Sequence, residues 1–131
     1  MSRSSCAGQK RILVVEDELE ITRVCRRTLV PEGYQVDIAT NGAMAEQMLQ
    51  EEDYDLIIID IKTPVMNGKQ LYQNMNERYP ELVSKTIFTT GDLISSETQY
   101  FIEQTGRPFL PKPFTPEELK VIVRETLKQL D

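Results

Sequence analysis

The chain has 131 residues, 40 % of them apolar and 27 % charged, with a net charge of −6. That length fits one domain around one core, and the acidic balance argues against a nucleic-acid partner, which needs a basic footprint. Histidine is absent, which removes Ser-His-Asp and Cys-His devices, imidazole metal ligands and any phosphohistidine on this chain.

Residues 1–9 (MSRSSCAGQ) are expected to be a flexible tail, because they carry basic residues but no apolar h-region. The domain is expected over 10–131. No apolar run approaches the roughly 20 residues of a membrane helix. Cys6 and Cys25 form no CxxC pair, which suits reduced thiols and a cytoplasmic setting.

Residues 10–16 (KRILVVE) form a β-branched apolar run and read as a buried strand. Over 18–30 the period changes: Ile21, Val24, Cys25 and Thr28 share one helical face, and Pro31 and Gly33 end it. Tyr34, Val36 and Ile38 alternate with Gln35 and Asp37, as in a strand with one polar face at a sheet edge. Asn41 can cap a helix that turns Ala45, Met48 and Leu49 inward. Residues 56–60 (LIIID) are the third strand, and a helix after Gly68 carries Leu71, Tyr72, Met75 and Tyr79 on one stripe up to Pro80. Residues 85–90 (KTIFTT) make strand four, and Ser95 or Ser96 caps a helix that runs into Gly106. Phe109-Leu110 is a very short strand between prolines, tolerated mainly at an edge. Thr115-Pro116-Glu117-Glu118 is a capping box with proline at the first helical position, and it opens the last helix.

A strand–helix order repeated five times implies an α/β fold: a parallel, doubly wound sheet with helices on both faces, joined by right-handed crossovers. Such sheets bind ligands outside the carboxyl ends of their strands. There the chain places Glu16-Asp17 after strand one, Asp60 after strand three, Thr90 after strand four and Lys112-Pro113 after strand five. One acid at a strand end is an ordinary solvated residue. An acidic pair, a lone Asp, a Thr and a Lys at the ends of four strands of one sheet form a constellation. Carboxylates held together require a cation or a proton, and an all-oxygen set suits Mg²⁺.

The segments ILVVEDE (12–18), LIIIDIKTPVMNG (56–68), IFTTGD (87–92) and PFLPKPF (108–114) carry a resemblance to the receiver domain of two-component response regulators, spanning 10–130. The resemblance implies a flavodoxin-like sheet in the order 2-1-3-4-5 with five helices. It makes Asp60 the phosphoacceptor, attacking the phosphorus of a phosphohistidine on a sensor histidine kinase or histidine phosphotransfer domain. It assigns Mg²⁺ to Glu16, Asp17, Asp60 and the backbone carbonyl of Lys62, and the phosphoryl oxygens to Thr90 and Lys112. Thr90 and Phe109 become the switch that repacks the face of the fourth helix, fifth strand and fifth helix, where a downstream protein would dock. The Lys112–Pro113 peptide is expected to be cis.

The chain departs from the family pattern at three points. Thr63 stands where receivers often have Met, and Glu16 where many have Asp. The resemblance puts Lys62 and Asp92 at positions that in this family flank the path of water to the phosphoaspartate, and a pairing between them is expected to tune hydrolysis. Two other functions compete: a metal-dependent phosphatase with Asp60 as nucleophile, and a phosphorylation-independent pseudo-receiver. Within the leading reading, both a stand-alone regulator and a receiver from a hybrid histidine kinase fit. The segment 90–114 resembles the latter more closely.

Overall fold

The computed structural model describes residues 9–91 and 95–129. The expected tail, Gln9 excepted, lies outside them, as do Asp92 and Leu130. In chain order the elements are β1 (Arg11–Val15), α1 (Leu19–Leu29), β2 (Gln35–Ala39), α2 (Gly42–Glu51), β3 (Leu56–Asp60), α3 (Gly68–Arg78), β4 (Thr86–Thr90), α4 (Ser96–Thr105), β5 (Phe109–Pro111) and α5 (Pro116–Gln129). All strand pairings are parallel, and the order is β2-β1-β3-β4-β5. Strand β2 is therefore an edge, consistent with its alternating pattern.

The expectation of five helices needs one correction. A sixth, single-turn helix runs over Pro80–Val83, and a 3-10 turn over Val30–Glu32 follows α1. Each begins with a proline at its first or second position. Pro80 was expected only to stop α3, yet a proline that cannot continue one helix suits the first turn of the next, where its missing N–H has no partner to lose.

The caps follow side-chain chemistry. Asn41 accepts from Met44 N at 2.8 Å, and Ser95 accepts from Thr98 N at 3.3 Å. Thr115 and Glu118 exchange reciprocal bonds of 3.1 and 2.8 Å. A second reciprocal box, Asn67 with Gln70, opens α3. It escapes the sequence reading because its first residue is Asn rather than Ser or Thr. Helix α4 ends on Gly106 at φ 67°, a left-handed position that glycine takes without a Cβ clash.

Two cores sandwich the sheet. On one face Leu13, Val15, Ile57, Ile59 and Phe88 pack against side chains of α2, α3 and α4, including Leu49, Leu71, Met75 and Phe101. On the other, Ile12, Val14, Leu56, Ile58 and Ile87 meet Cys25 and Leu29 of α1 and Leu119 and Val123 of α5. Strand β3 is buried along its whole length, which is why its sequence reads as one apolar run rather than an alternation.

Candidate functional site

Strands β1 and β3 are neighbours, with Val15 paired to Ile59, so the residues that follow each strand emerge side by side at its carboxyl end. Glu16, Asp17 and Asp60 each bring a carboxylate oxygen within 4.8 Å of the others. Glu16 and Asp60 are 1 % and 3 % exposed, whereas Asp17 faces solvent. The Lys112 side chain reaches across from the far side of β4. Its Nζ lies 3.0 Å from Asp60 Oδ2, 2.9 Å from Glu16 Oε1 and 2.7 Å from Glu18 Oε1.

Backbone contacts hold this arrangement. Lys62 N donates to Asp60 Oδ1 at 3.1 Å, and Glu18 N donates to Glu16 Oε2 at 3.0 Å. Lys112 N donates to the carbonyl of Thr90 at 3.0 Å, tying the start of the loop after β5 to the end of β4. The Lys112–Pro113 peptide is cis.

After Asp60 the chain must turn sharply to start α3, and Gly68 permits it. A Cβ there would lie 2.7 Å from Ile61 Cα and 2.9 Å from the Asp60 carbonyl oxygen, closer than real contacts allow. Val65, at the crest of this turn, has φ 68° and is 81 % exposed. A β-branched residue in the left-handed region is strained. Its neighbours are pinned: Thr63 Oγ1 and Gly42 N both donate to the carbonyl of Met66, at 3.1 Å each. Thr63 uses its hydroxyl for this bond.

Burial sets the electrostatics. It pushes Glu16 up to about 7 against the opposing bonds from Lys112 and the Glu18 backbone, with the Asp60 charge adding to the rise. For Lys112 burial disfavours the charge, yet its pairings with Glu18, Glu16 and Asp60 outweigh it and raise its pKa above the ordinary lysine value. Cys25, beneath Glu16, is pushed up to about 12 by burial and by that carboxylate's charge, so it stays an inert thiol.

Thr90 is fully buried at the end of β4. Phe109 is partly buried and packs on the same core as Phe88, its registry partner on β4. The structure thus gathers Glu16, Asp17, Asp60 and Lys112 at one sheet end, with Thr90 on the adjacent strand end. Asp92, the expected partner of Lys62, lies outside the described residues. Sequence reasoning missed Glu18. Its signal was its spacing, two residues after Glu16 on the turn that faces Lys112.

An open, doubly wound sheet with buried carboxylates and a lysine at its carboxyl end defines an α/β protein with an acidic switch-point pocket. The profile of the response regulator receiver domain matches residues 12–124, and the chain belongs to that family. It is 34% identical over 118 residues to the aerobic respiration control protein ArcA of Escherichia coli (strain K12), covering 90% of this chain and 48% of ArcA. The chain spans about half the length of the curated relatives it matches. Among solved structures it resembles a CheY-like response regulator receiver domain protein from Methanospirillum hungatei JF-1, at 31% identity and TM-score 0.84, with 93% and 96% of the two chains covered. It also resembles the receiver domain of a signal transduction histidine kinase from Syntrophus aciditrophicus, at 27% identity and TM-score 0.83, with 93% and 92% covered. The protein is a receiver domain of two-component signalling. Among the described residues no helix is long and apolar enough to cross a membrane.

Proposed function

We propose that the chain accepts a phosphoryl group on Asp60 from a phosphohistidine of a histidine kinase or phosphotransfer domain, and relays the change through the face of α4, β5 and α5. The observation that carries this is Asp60 itself. It is a buried carboxylate at the end of the central strand, with an ammonium 3.0 Å away and two further carboxylates beside it.

The donor set fits Mg²⁺: it is all oxygen, and one of its acids, Asp17, is open to water. Glu16, Asp17, Asp60 and the Lys62 carbonyl would hold the ion, which would neutralise charge on the oxygens of the phosphoryl group in transfer. The remaining work falls to the chain. The rigid end of β3 aims Asp60, which attacks phosphorus as the bond to the donor imidazole breaks. Lys112 stabilises the charge on the transferred oxygens, and the Thr90 hydroxyl donates to one of them. Thr90 moves toward that oxygen, and Phe109 turns into the space it leaves.

Helix α4 can follow that motion. Its Phe101 packs edge-on against Phe88 and Tyr72, at ring separations of 5.3 and 5.8 Å. The outer side of the switch face shows exposed Tyr100 and Val121, which suits a protein partner. Lys62 stands exposed two residues after Asp60, where with Asp92 it would set the lifetime of the phosphoaspartate. Ile61 and Lys62 supply no second acid after the nucleophile, which counts against a phosphatase. The similarity to a histidine-kinase receiver favours a hybrid kinase as the parent protein.

Incubation with acetyl phosphate and Mg²⁺, read by intact mass, tests this reading. A stable gain of about 80 Da, the mass of one phosphoryl group, is expected in the wild type and not in Asp60→Asn. No adduct in the wild type would sink the proposal, and so would rapid turnover of phosphate esters.

A further inference from the structure

The Lys112 ammonium has three N–H groups; it donates to Glu18 and Asp60 and pairs by charge with Glu16 Oε1. Two of these, Glu16 and Asp60, are buried acids of the site itself. The third is Glu18, the shortest contact at 2.7 Å, although its side chain is 61% exposed. Phosphotransfer gives Glu18 no part, yet it holds the ammonium that has to meet the incoming phosphoryl group. Its side chain caps no helix: α1 begins with the Glu18 carbonyl accepting from Ile21 N and Thr22 N, both at 3.1 Å, and with no side-chain cap bond. The Glu18 backbone N–H is spent on Glu16. The carboxylate is thus free of any duty in the fold, and it spans from the turn after β1 to the loop after β5 across the mouth of the site.

We propose that Glu18 is a positioning residue: it clamps the Lys112 ammonium in the resting state and must release it before Lys112 can bind a phosphoryl oxygen on Asp60. The proposal rests on the phosphoacceptor reading. Among the three carboxylates Glu18 is the one that can let go. Water can solvate it on release, whereas Glu16 and Asp60 would be left as buried charges without a partner. The clamp therefore slows phosphorylation, and it makes a donor compete with Glu18 for one ammonium hydrogen.

The test uses the full chain with acetyl phosphate and Mg²⁺, and measures the initial rate of the phosphoryl adduct by intact mass. Glu18→Ala removes the contact. Glu18→Asp keeps the charge on an arm one methylene shorter, which draws the carboxylate back from Lys112. Both variants are expected to gain rate by about three- to fivefold, the range that a largely exposed ion pair can supply. Glu20→Ala, an exposed acid in the first turn of α1, is expected to match the wild type. If only Glu18→Ala is faster, or if Glu20→Ala gains as much, simple repulsion of an anionic donor explains the data and the clamp is refuted. It is equally refuted if neither Glu18 variant is faster.

A second readout needs no phosphoryl transfer. Hydrogen exchange at the Lys112 Nζ, followed by NMR without Mg²⁺, is expected to be slower in the wild type than in both Glu18 variants. Equal exchange would overturn the clamp. A normal wild-type adduct with unchanged variant rates defeats this proposal alone, while no adduct in any of the proteins defeats the phosphoacceptor reading and the clamp with it.

Discussion

At each end of the sheet a cation sits among carboxylates, Lys112 at the carboxyl end and Arg11 at the amino end. Arg11 makes contacts of 3.3 Å to Asp37 and 2.9 Å to Glu52, partners whose side chains are 31% and 44% exposed. Its backbone N donates to Asp55 at 2.8 Å, and its guanidinium lies 5.7 Å from the centre of the Tyr54 ring. Tyr54 in turn donates its hydroxyl to Asp37 at 2.7 Å. A flat guanidinium with several fixed donors and partly hydrated partners is a clasp that joins β1 to β2 and to the α2–β3 loop. Lys112 differs in two respects: its head is a point charge that can turn toward a new partner, and two of its acids are almost dry. The amino-end cluster ties elements together, whereas the carboxyl-end cluster confines buried like charges around one ammonium.

The largest test of that contrast removes each cation in turn. Lys112→Ala leaves Glu16 and Asp60 buried without a counter-charge, and is expected to cost about 3 kcal/mol in urea unfolding at pH 8 without Mg²⁺. Arg11→Ala, whose acids can turn to water, is expected to cost about 1 kcal/mol. Equal losses would erase the distinction between clasp and site.

A smaller effect sharpens it through pH. In the folded chain Glu16 titrates at about 7, against 4.5 for an ordinary glutamate. The folded state therefore binds the extra proton, and ionising Glu16 lowers stability progressively as pH rises from 4.5 toward 7. Glu16→Gln is expected to raise stability at pH 8 by about 2 kcal/mol, and to match the wild type near pH 4.5. Urea midpoints at the two pH values check this; a variant less stable than wild type at pH 8 would contradict it.

The smallest effect lies within one strand. Strand β4 carries buried threonines toward both ends, Thr86 at one and Thr89 and Thr90 at the other. Thr86 Oγ1, toward the amino end, donates to the carbonyl of Leu82 at 3.0 Å, while Thr89 Oγ1, beside the site, has no hydrogen-bond partner among the described residues. Thr86→Val is expected to cost about 1 kcal/mol and Thr89→Val to gain a similar amount, since an unsatisfied buried hydroxyl is removed. Thermal unfolding of the pair measures both. Losses of the same sign would show that Thr89 is satisfied in solution.

Much of the fold was legible because its signals are local. The apolar run of Leu56–Asp60, the Asn41 and Thr115 caps and the switch from strand to helix period each depend on neighbours within a few residues. The single turn at Pro80–Val83 was not legible, since a proline that ends one helix carries no mark of opening another. The strain at Val65 left no trace either, because nothing in KTPVMNG announces a left-handed valine.

The candidate site divides in the same way. Which residues end each strand is a property of the chain alone, and it was enough to nominate Glu16, Asp17, Asp60, Thr90 and Lys112. Their convergence, the burial that lifts Glu16 and the reach of Lys112 to Glu18 across 94 positions of sequence belong to the tertiary structure. Local order follows from short-range sterics and hydrogen bonding, which a sequence displays directly. Desolvation and charge pairing depend on what folding brings within about 3 Å, and only the packed sheet decides that.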